Sequence, residues 1–194
     1  MNPANNPAPR MKPMKTILIA LAAIVIVFLI VVALQSADYK VVRSTAIAAP
    51  PSAVFPHIND LHKFQAWSPW AEVDPNCKYT FEGPTTGAGS SFSWTGNAAV
   101  GAGKMTIEES KPSELVRVRL DFYKPFAGVG QAEYSFKPDG DKTVATWTMT
   151  GKKNFITKGI GLFLSMDKML GPQFEKGLEK LKSIAESNKV AALQ

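Results

Sequence analysis

Two histidines, His57 and His62, one cysteine, Cys77, and the adjacent glutamates Glu108 and Glu109 are the residues that would first suggest catalysis or metal binding. Their spacing supports little of it. His57 and His62 are five apart, which is neither the i, i+4 pair of one helical face nor part of an HExxH string. No third nitrogen or thiolate ligand lies near them in the sequence. A lone cysteine forms no internal disulfide and builds no thiolate cluster. It reads as a small buried hydrophobe or as a reactive thiol. Neighbouring residues on a strand point to opposite faces, so Glu108 and Glu109 do not form an acid–base pair. Gly87-Ala88-Gly89 and Gly101-Ala102-Gly103 look like fragments of nucleotide loops, but neither continues to a third glycine and both precede strand-like sequence. The residues therefore predict no metal and no cofactor. Acid–base chemistry would have only scattered candidates: His57, His62, Tyr79, Asp121 and Tyr134.

The aromatic residues are better organised. Tyr79, Phe81, Phe92, Trp94, Phe122, Tyr134, Phe136 and Trp147 all fall in segments where apolar residues recur every second position. The clearest run sets Val116, Val118, Leu120 and Phe122 against Arg117, Arg119 and Asp121. Ala132, Tyr134 and Phe136 alternate in the same way, as do Ala145, Trp147 and Met149. Such alternation marks half-buried antiparallel strands with one apolar face. Rings on that face either fill an ordinary core or line a cavity. Arg117, Arg119 and Asp121 on the other face read as a solvated surface with cross-strand ion pairs. Trp67-Ser68-Pro69-Trp70 reads as a rigid loop that plugs one end of the core or acts as a lid. A buried indole N–H there needs a partner.

Around these strands lie helical segments. Pro50-Pro51 ends a first strand, Tyr39 to Ala49, and Pro51 is suited to the first helical position. Ser52 to Asn59 follows as a short helix, irregular at Pro56, and Asp60 to Phe64 as a further turn. Near the end, Leu170, Phe174, Leu178, Leu181 and Ile184 form one apolar stripe of a long helix. Pro172 is expected to start or kink it, and Ile160 to Met169 to be a helical stretch leading into it. One strand before the short helices and six after them must bury a single apolar face, and the C-terminal helix is the large element left to cover it. The expected class is α+β.

The N-terminal portion is of another kind. Thr16 to Leu34 contains no charge, Pro or Gly, and as a helix would rise about 28 Å, close to a bilayer's hydrocarbon thickness. Its length, and the large Gln35 or Leu34 at the position where signal cleavage needs a small residue, predict an uncleaved anchor rather than a cleaved signal. Arg10, Lys12 and Lys15 precede the span, which predicts a cytoplasmic N-terminus and a periplasmic C-terminal domain at a bacterial inner membrane. The expected organisation is a short, basic, disordered tail over 1–15, a transmembrane anchor over 16–35, a folded domain over 39–187 and a tail over 188–194. Three of the 22 basic residues precede the apolar run and all 16 acidic ones follow it. The domain is thus close to neutral and has no basic cluster interleaved with aromatics, which argues against nucleic acid as a partner.

The order of elements resembles the helix-grip fold of the START/Bet v 1-like superfamily, and more narrowly its polyketide cyclase/dehydrase-type SRPBCC branch. The resemblance spans roughly Tyr39 to Ala185. It is carried by that order and by three strings: Ala49-Pro50-Pro51-Ser52-Ala53-Val54-Phe55, Trp67-Ser68-Pro69-Trp70 with Asp74-Pro75, and Gly87-Ala88-Gly89-Ser90 followed by Phe92-Ser93-Trp94-Thr95-Gly96-Asn97. It implies a curved seven-stranded antiparallel sheet around a long C-terminal helix, with an apolar cavity between them. Members bind lipids, sterols or polyketides, and some cyclise or dehydrate polyketides. By this resemblance Trp67, Trp70, Phe81, Trp94, Phe122, Tyr134, Trp147 and Met149 are the expected cavity-lining residues. No catalytic residue carries over by motif. The expected function is a membrane-anchored binding module for a hydrophobic small molecule. A cyclase/dehydratase-type enzyme and a ligand-free envelope interaction domain are the alternatives.

Overall fold

A computed structural model describes residues 13–191; the rest of the expected N-terminal tail and the last three residues lie outside the described residues. The chain divides into two units after Ser36. The first contains α1 (Pro13–Leu34), a helix long and apolar enough to cross a membrane, a test that a signal sequence near an N-terminus also passes.

The second unit opens with β1 (Asp38–Ile47), followed by four short helices: α2 (Pro51–Val54), α3 (Pro56–Asn59), α4 (Leu61–Phe64) and α5 (Trp70–Val73). Prolines at the first positions of α2 and α3 explain why this segment is broken, since each fits a helix start and neither donates a backbone hydrogen bond. Asp60 caps α4 by accepting from the backbone N–H groups of His62 at 2.9 Å and Lys63 at 3.4 Å.

Six strands follow: β2 (Lys78–Glu82), β3 (Ser91–Thr95), β4 (Ala102–Lys111), β5 (Leu115–Lys124), β6 (Gly128–Asp139) and β7 (Lys142–Lys152). With β1 they form one antiparallel sheet in the order β1-β7-β6-β5-β4-β3-β2, so the first strand returns to pair with the last. Two register shifts interrupt β4, at Ala102/Gly103 and Ile107/Glu109. Irregularities of this kind bend a strand and increase its twist. The chain ends in α6 (Phe155–Gly161) and α7 (Met166–Ala191).

The period-two reading matches the burial. Val116, Val118, Ala132, Tyr134, Phe136, Ala145, Trp147 and Met149 are buried in one core with Phe174, Leu178, Leu181 and Ala185 of α7 and with Val54, Ile58, Leu61 and Phe64 of the short helices. On the other face, Arg117 pairs with Glu109 on β4 and with Glu133 on β6, its partners in the strand register. The segment before α7 differs from the helical stretch expected over Ile160 to Met169. Residues 162–165 break it, and α7 begins afresh where the Ser165 hydroxyl accepts from the backbone N–H of Lys168 at 3.3 Å. Pro172 lies inside α7 and does not start it, and the helix continues to Ala191, into the expected C-terminal tail.

Candidate functional site

A cavity of about 150 Å³ lies on the covered face of the sheet. It reaches from the centre, where Tyr134 and Trp147 are cross-strand partners, toward the end at which β5 and β7 finish, where Phe122 and Met149 line it. Leu170 of α7 and Phe64, Gln65, Ser68 and Trp70 of the short-helix segment complete the wall opposite the strands. Among the described residues, no Asp, Glu, Lys, Arg or His lines it.

The cavity end is held by a few specific contacts. Asp74, which ends α5, is largely buried and accepts from the backbone N–H of Asn76 at 3.1 Å and of Asn97 at 2.6 Å. That second bond ties α5 to the β3–β4 connection. The Trp94 indole N–H in turn donates to the carbonyl of Val100 in the same connection at 3.4 Å. On the solvent side, Glu72 of α5 pairs with Lys176 and Lys180 of α7. Hydrogen bonds from these two ammonium groups pull the Glu72 carboxyl down to about 2. Trp70, at the start of α5, packs edge-on against Trp147 at 5.7 Å and Phe174 at 6.3 Å.

The polar atoms of the wall are unevenly satisfied. Among the described residues, the buried side-chain nitrogens and oxygens without a hydrogen-bond partner are both amide atoms of Gln65 and Nε1 of Trp147. Both residues line the cavity. Burial raises the Tyr134 hydroxyl well above its ordinary value of 10. The Tyr79 hydroxyl is raised as well, first by burial and then by its hydrogen bond with the Cys77 thiol. Both phenols therefore stay protonated at neutral pH.

Of the eight expected lining residues, Trp70, Trp94, Phe122, Tyr134, Trp147 and Met149 surround the cavity. Trp67 and Phe81 do not. Trp67 is completely buried behind the cavity wall, its N–H donating to the His57 carbonyl at 2.9 Å and its ring against Phe64, Tyr134 and Trp147. It acts as the plug. Phe81 lies on β2, the edge strand, is 36% exposed and stacks on the His62 imidazole at 3.9 Å. Gln65 and Ser68 also line the wall. Sequence reading missed both, because a polar side chain in a short irregular segment gives no periodic signal of facing inward.

The two histidines sit outside the cavity lining. Burial lowers the pKa of His57 from 6.5, helped by Lys63 and opposed by Asp60. The folded state therefore binds its proton less readily than the unfolded chain. Stability should fall as pH drops below about 6.5, because there the unfolded state takes up a proton that the folded state resists. Urea midpoints at pH 7.5 and 5.5 test this. His57→Gln should shrink the difference between them, and an undiminished difference would remove His57 as its source.

The family model described as "Polyketide cyclase / dehydrase and lipid transport" matches residues 38–186, most of the chain. The chain belongs to this family. The SRPBCC, Bet v 1-like identity also agrees with solved structures. Norcoclaurine synthase from Thalictrum flavum matches with a TM-score of 0.60 and 12% identity, over 80% of this chain and 99% of that one. An aromatase/cyclase from Streptomyces, Zhui, matches with a TM-score of 0.55 and 15% identity, over 77% and 94%. Protein CV1439 of Chromobacterium violaceum matches with a TM-score of 0.56 and 14% identity, over 76% and 96%. At these identities the likeness is one of fold. No curated protein sequence matches the chain.

Proposed function

We propose that this family member is a membrane-anchored binding module that holds a hydrophobic small molecule, lipid-like or polyketide-like, between sheet and C-terminal helix. The observation that carries this reading is the aromatic cavity of about 150 Å³ with no charged side chain in its lining. A cavity of this volume admits a benzene-sized guest. A longer ligand would seat one ring-sized part inside. Burying about 300 Å² of ligand surface supplies roughly 7 kcal/mol before the cost of association. Trp70, Trp94, Phe122, Tyr134, Trp147 and Met149 are the proposed contacts. The lining favours binding over a cyclase or dehydratase reaction. Its two phenols have raised pKa values, and it offers no carboxylate, imidazole or amine to exchange a proton near neutrality.

Chain connectivity supports a membrane-side location. Leu34 ends α1, and the Ala37 carbonyl accepts from the backbone N–H of Lys153 at 2.7 Å. The chain therefore enters the domain at the end of β7 that carries Met149. Just beyond, Phe155, Ile156, Ile160, Phe163 and Leu164 are exposed, Phe163 at 83%, with Lys152, Lys153 and Lys158 beside them in sequence. Exposed apolar groups next to lysines suit a bilayer interface. In this reading α1 spans a bacterial inner membrane with the N-terminus in the cytoplasm and the domain in the periplasm. The 38–194 domain should take up a fluorescent apolar probe saturably, and Trp94→Ala should abolish uptake while the far-UV spectrum is retained. No uptake, or equal uptake by the variant, would end the reading.

A further inference from the structure

Among the described residues after Ser36, the exposed large hydrophobics gather in two segments, 123–129 and 155–169, with Val42, Val73 and Phe81 as the exceptions. The first segment is the turn between β5 and β6, where Tyr123, Phe126 and Val129 are exposed. The second runs from α6 into the first turn of α7 and includes Phe155, Ile156 and Phe163. Both leave the sheet at the same end. Phe122 pairs with Gly128 beside the first segment, and Gly130 pairs with Gly151 just before the second. The opposite end is built differently. Its β4–β5 and β6–β7 turns consist of Pro112, Ser113 and Glu114 and of Gly140 and Asp141, with no large hydrophobic.

The charges differ between the ends as well. At the apolar end, Lys124, Lys152, Lys153, Lys158 and Lys168 lie within or next to the two segments. The acidic residue inside them, Asp167, is held by Arg43 at 2.8 Å. Asp38 opposes Lys152 in the register, which still leaves a surplus of lysine. At the far end, Lys111 and Lys142 stand with Glu114, Asp139 and Asp141. The cavity also reaches the apolar end, since Phe122 and Leu170, which line it, adjoin Tyr123 and Met169 in the chain. The chain arriving from α1 enters there too, because the Ala37 carbonyl accepts from the backbone N–H of Lys153. Only Gln35 and Ser36 separate Leu34 from Ala37, a reach of at most about 10 Å. Exposed apolar tips ringed by lysines complement a surface of acyl chains under anionic headgroups.

We propose that segments 123–129 and 155–169 dock the domain end-on against an anionic phospholipid bilayer, with their apolar side chains among the headgroups and upper acyl chains and their lysines on the phosphates. This rests on the reading of α1 as an anchor and adds the surface by which the domain meets the same membrane. The cavity end of the sheet then faces lipid, the phase in which an apolar guest dissolves.

The test uses the full chain with Cys77→Ser and one new cysteine at a time: Phe126→Cys, Phe163→Cys, or Asp141→Cys at the far end. Each is labelled with a nitrobenzoxadiazole dye and placed in nanodiscs of phosphatidylcholine and phosphatidylglycerol, with and without spin-labelled quencher lipid. Labels at 126 and 163 should emit to the blue and be quenched at least about threefold, as groups seated roughly 5–10 Å into the headgroup–acyl boundary would be. The label at 141, about 30 Å away along β7, should stay in water and unquenched. Quenching at both sites should fall at least about twofold when Lys152→Glu, Lys153→Glu and Lys158→Glu are combined, or when phosphatidylglycerol is left out. The two sites are probed separately, so the result does not depend on one variant folding. If the chain enters nanodiscs but the labels at 126 and 163 behave like that at 141, the anchor stands and the docking surface is wrong. If they turn blue only when two chains share a nanodisc, and without quenching by lipid, the face joins copies of this chain and the docking surface is again wrong. If the chain does not enter nanodiscs, the anchor reading fails and the inference falls with it.

Discussion

Replacing Trp147 by Ala is expected to lower the stability of the domain by about 3–5 kcal/mol, the range for deleting a large buried aromatic side chain. Trp147 joins the layers more directly than the other rings. It stacks flat on Phe174 of α7, with centroids 4.0 Å apart and planes 4° from parallel. It also meets Trp67 at 5.6 Å, Trp70 at 5.7 Å and its strand partner Tyr134 at 5.1 Å. Removing it merges the space it fills with the existing cavity, which the neighbouring rings are too rigid to close. The denaturant midpoint should drop with little change in slope. A loss below about 1 kcal/mol would mean that the sheet and α7 are not joined through this ring.

A comparison of phenylalanine substitutions separates packing from hydrogen bonding. Trp67→Phe removes a donor that bonds the His57 carbonyl at 2.9 Å, whereas Trp147→Phe removes an N–H that has no partner among the described residues. Both lose comparable ring area. The first should therefore cost more by about 1 kcal/mol, the net worth of one hydrogen bond. Equal losses would show that water replaces the indole at His57.

Much of this architecture was legible because alternation reports the pleat directly. Val116 to Phe122, Ala132 to Phe136 and Ala145 to Met149 are buried or half-buried, as their period of two required. The same signal misplaced Phe81. Alternation states which side of a strand a residue faces, but not whether anything covers that side. On the edge strand β2 the cover is largely the His62 ring. Trp67 and Trp70 show a second limit. They are three residues apart in a segment without period, and one became the plug and the other the wall because Trp67 lies in the turn that follows α4 while Trp70 opens α5. Gln65 marks the third. Its place in the cavity wall depends on where α4 ends relative to the sheet, a tertiary fact that a polar residue's type does not disclose. The restart of α7 at Ser165 was the more recoverable miss, since Ser165 ahead of Met166 is a capping residue at a helix start.

The shape of the cavity depends on a glycine that no ligand need touch. Gly103 on β4 faces Trp94 across the β3–β4 pair and Phe122 across β4–β5. A Cβ placed there would lie 2.5 Å from the Trp94 ring and 2.5 Å from the backbone carbonyl oxygen of Asp121. The ring can swing away, but the carbonyl belongs to the neighbouring strand and cannot move without spreading the ladder. Gly103→Val is therefore expected to cost about 3 kcal/mol, the upper part of the range for overpacking. It should also drive the Trp94 indole off its seat, break its bond to the Val100 carbonyl and weaken binding of a cavity probe by at least roughly tenfold. Gly130→Ala is the matched control. Its Cβ would approach the terminal methyl of Met149 at 3.2 Å, the end of a flexible side chain that can yield. That variant should lose under about 1 kcal/mol and keep the probe site. Thermal unfolding with probe titration on both variants measures the contrast. A Gly103→Val protein as stable as the parent would show that Trp94 does not lie over this glycine, and the wall built on its ring would have to be redrawn.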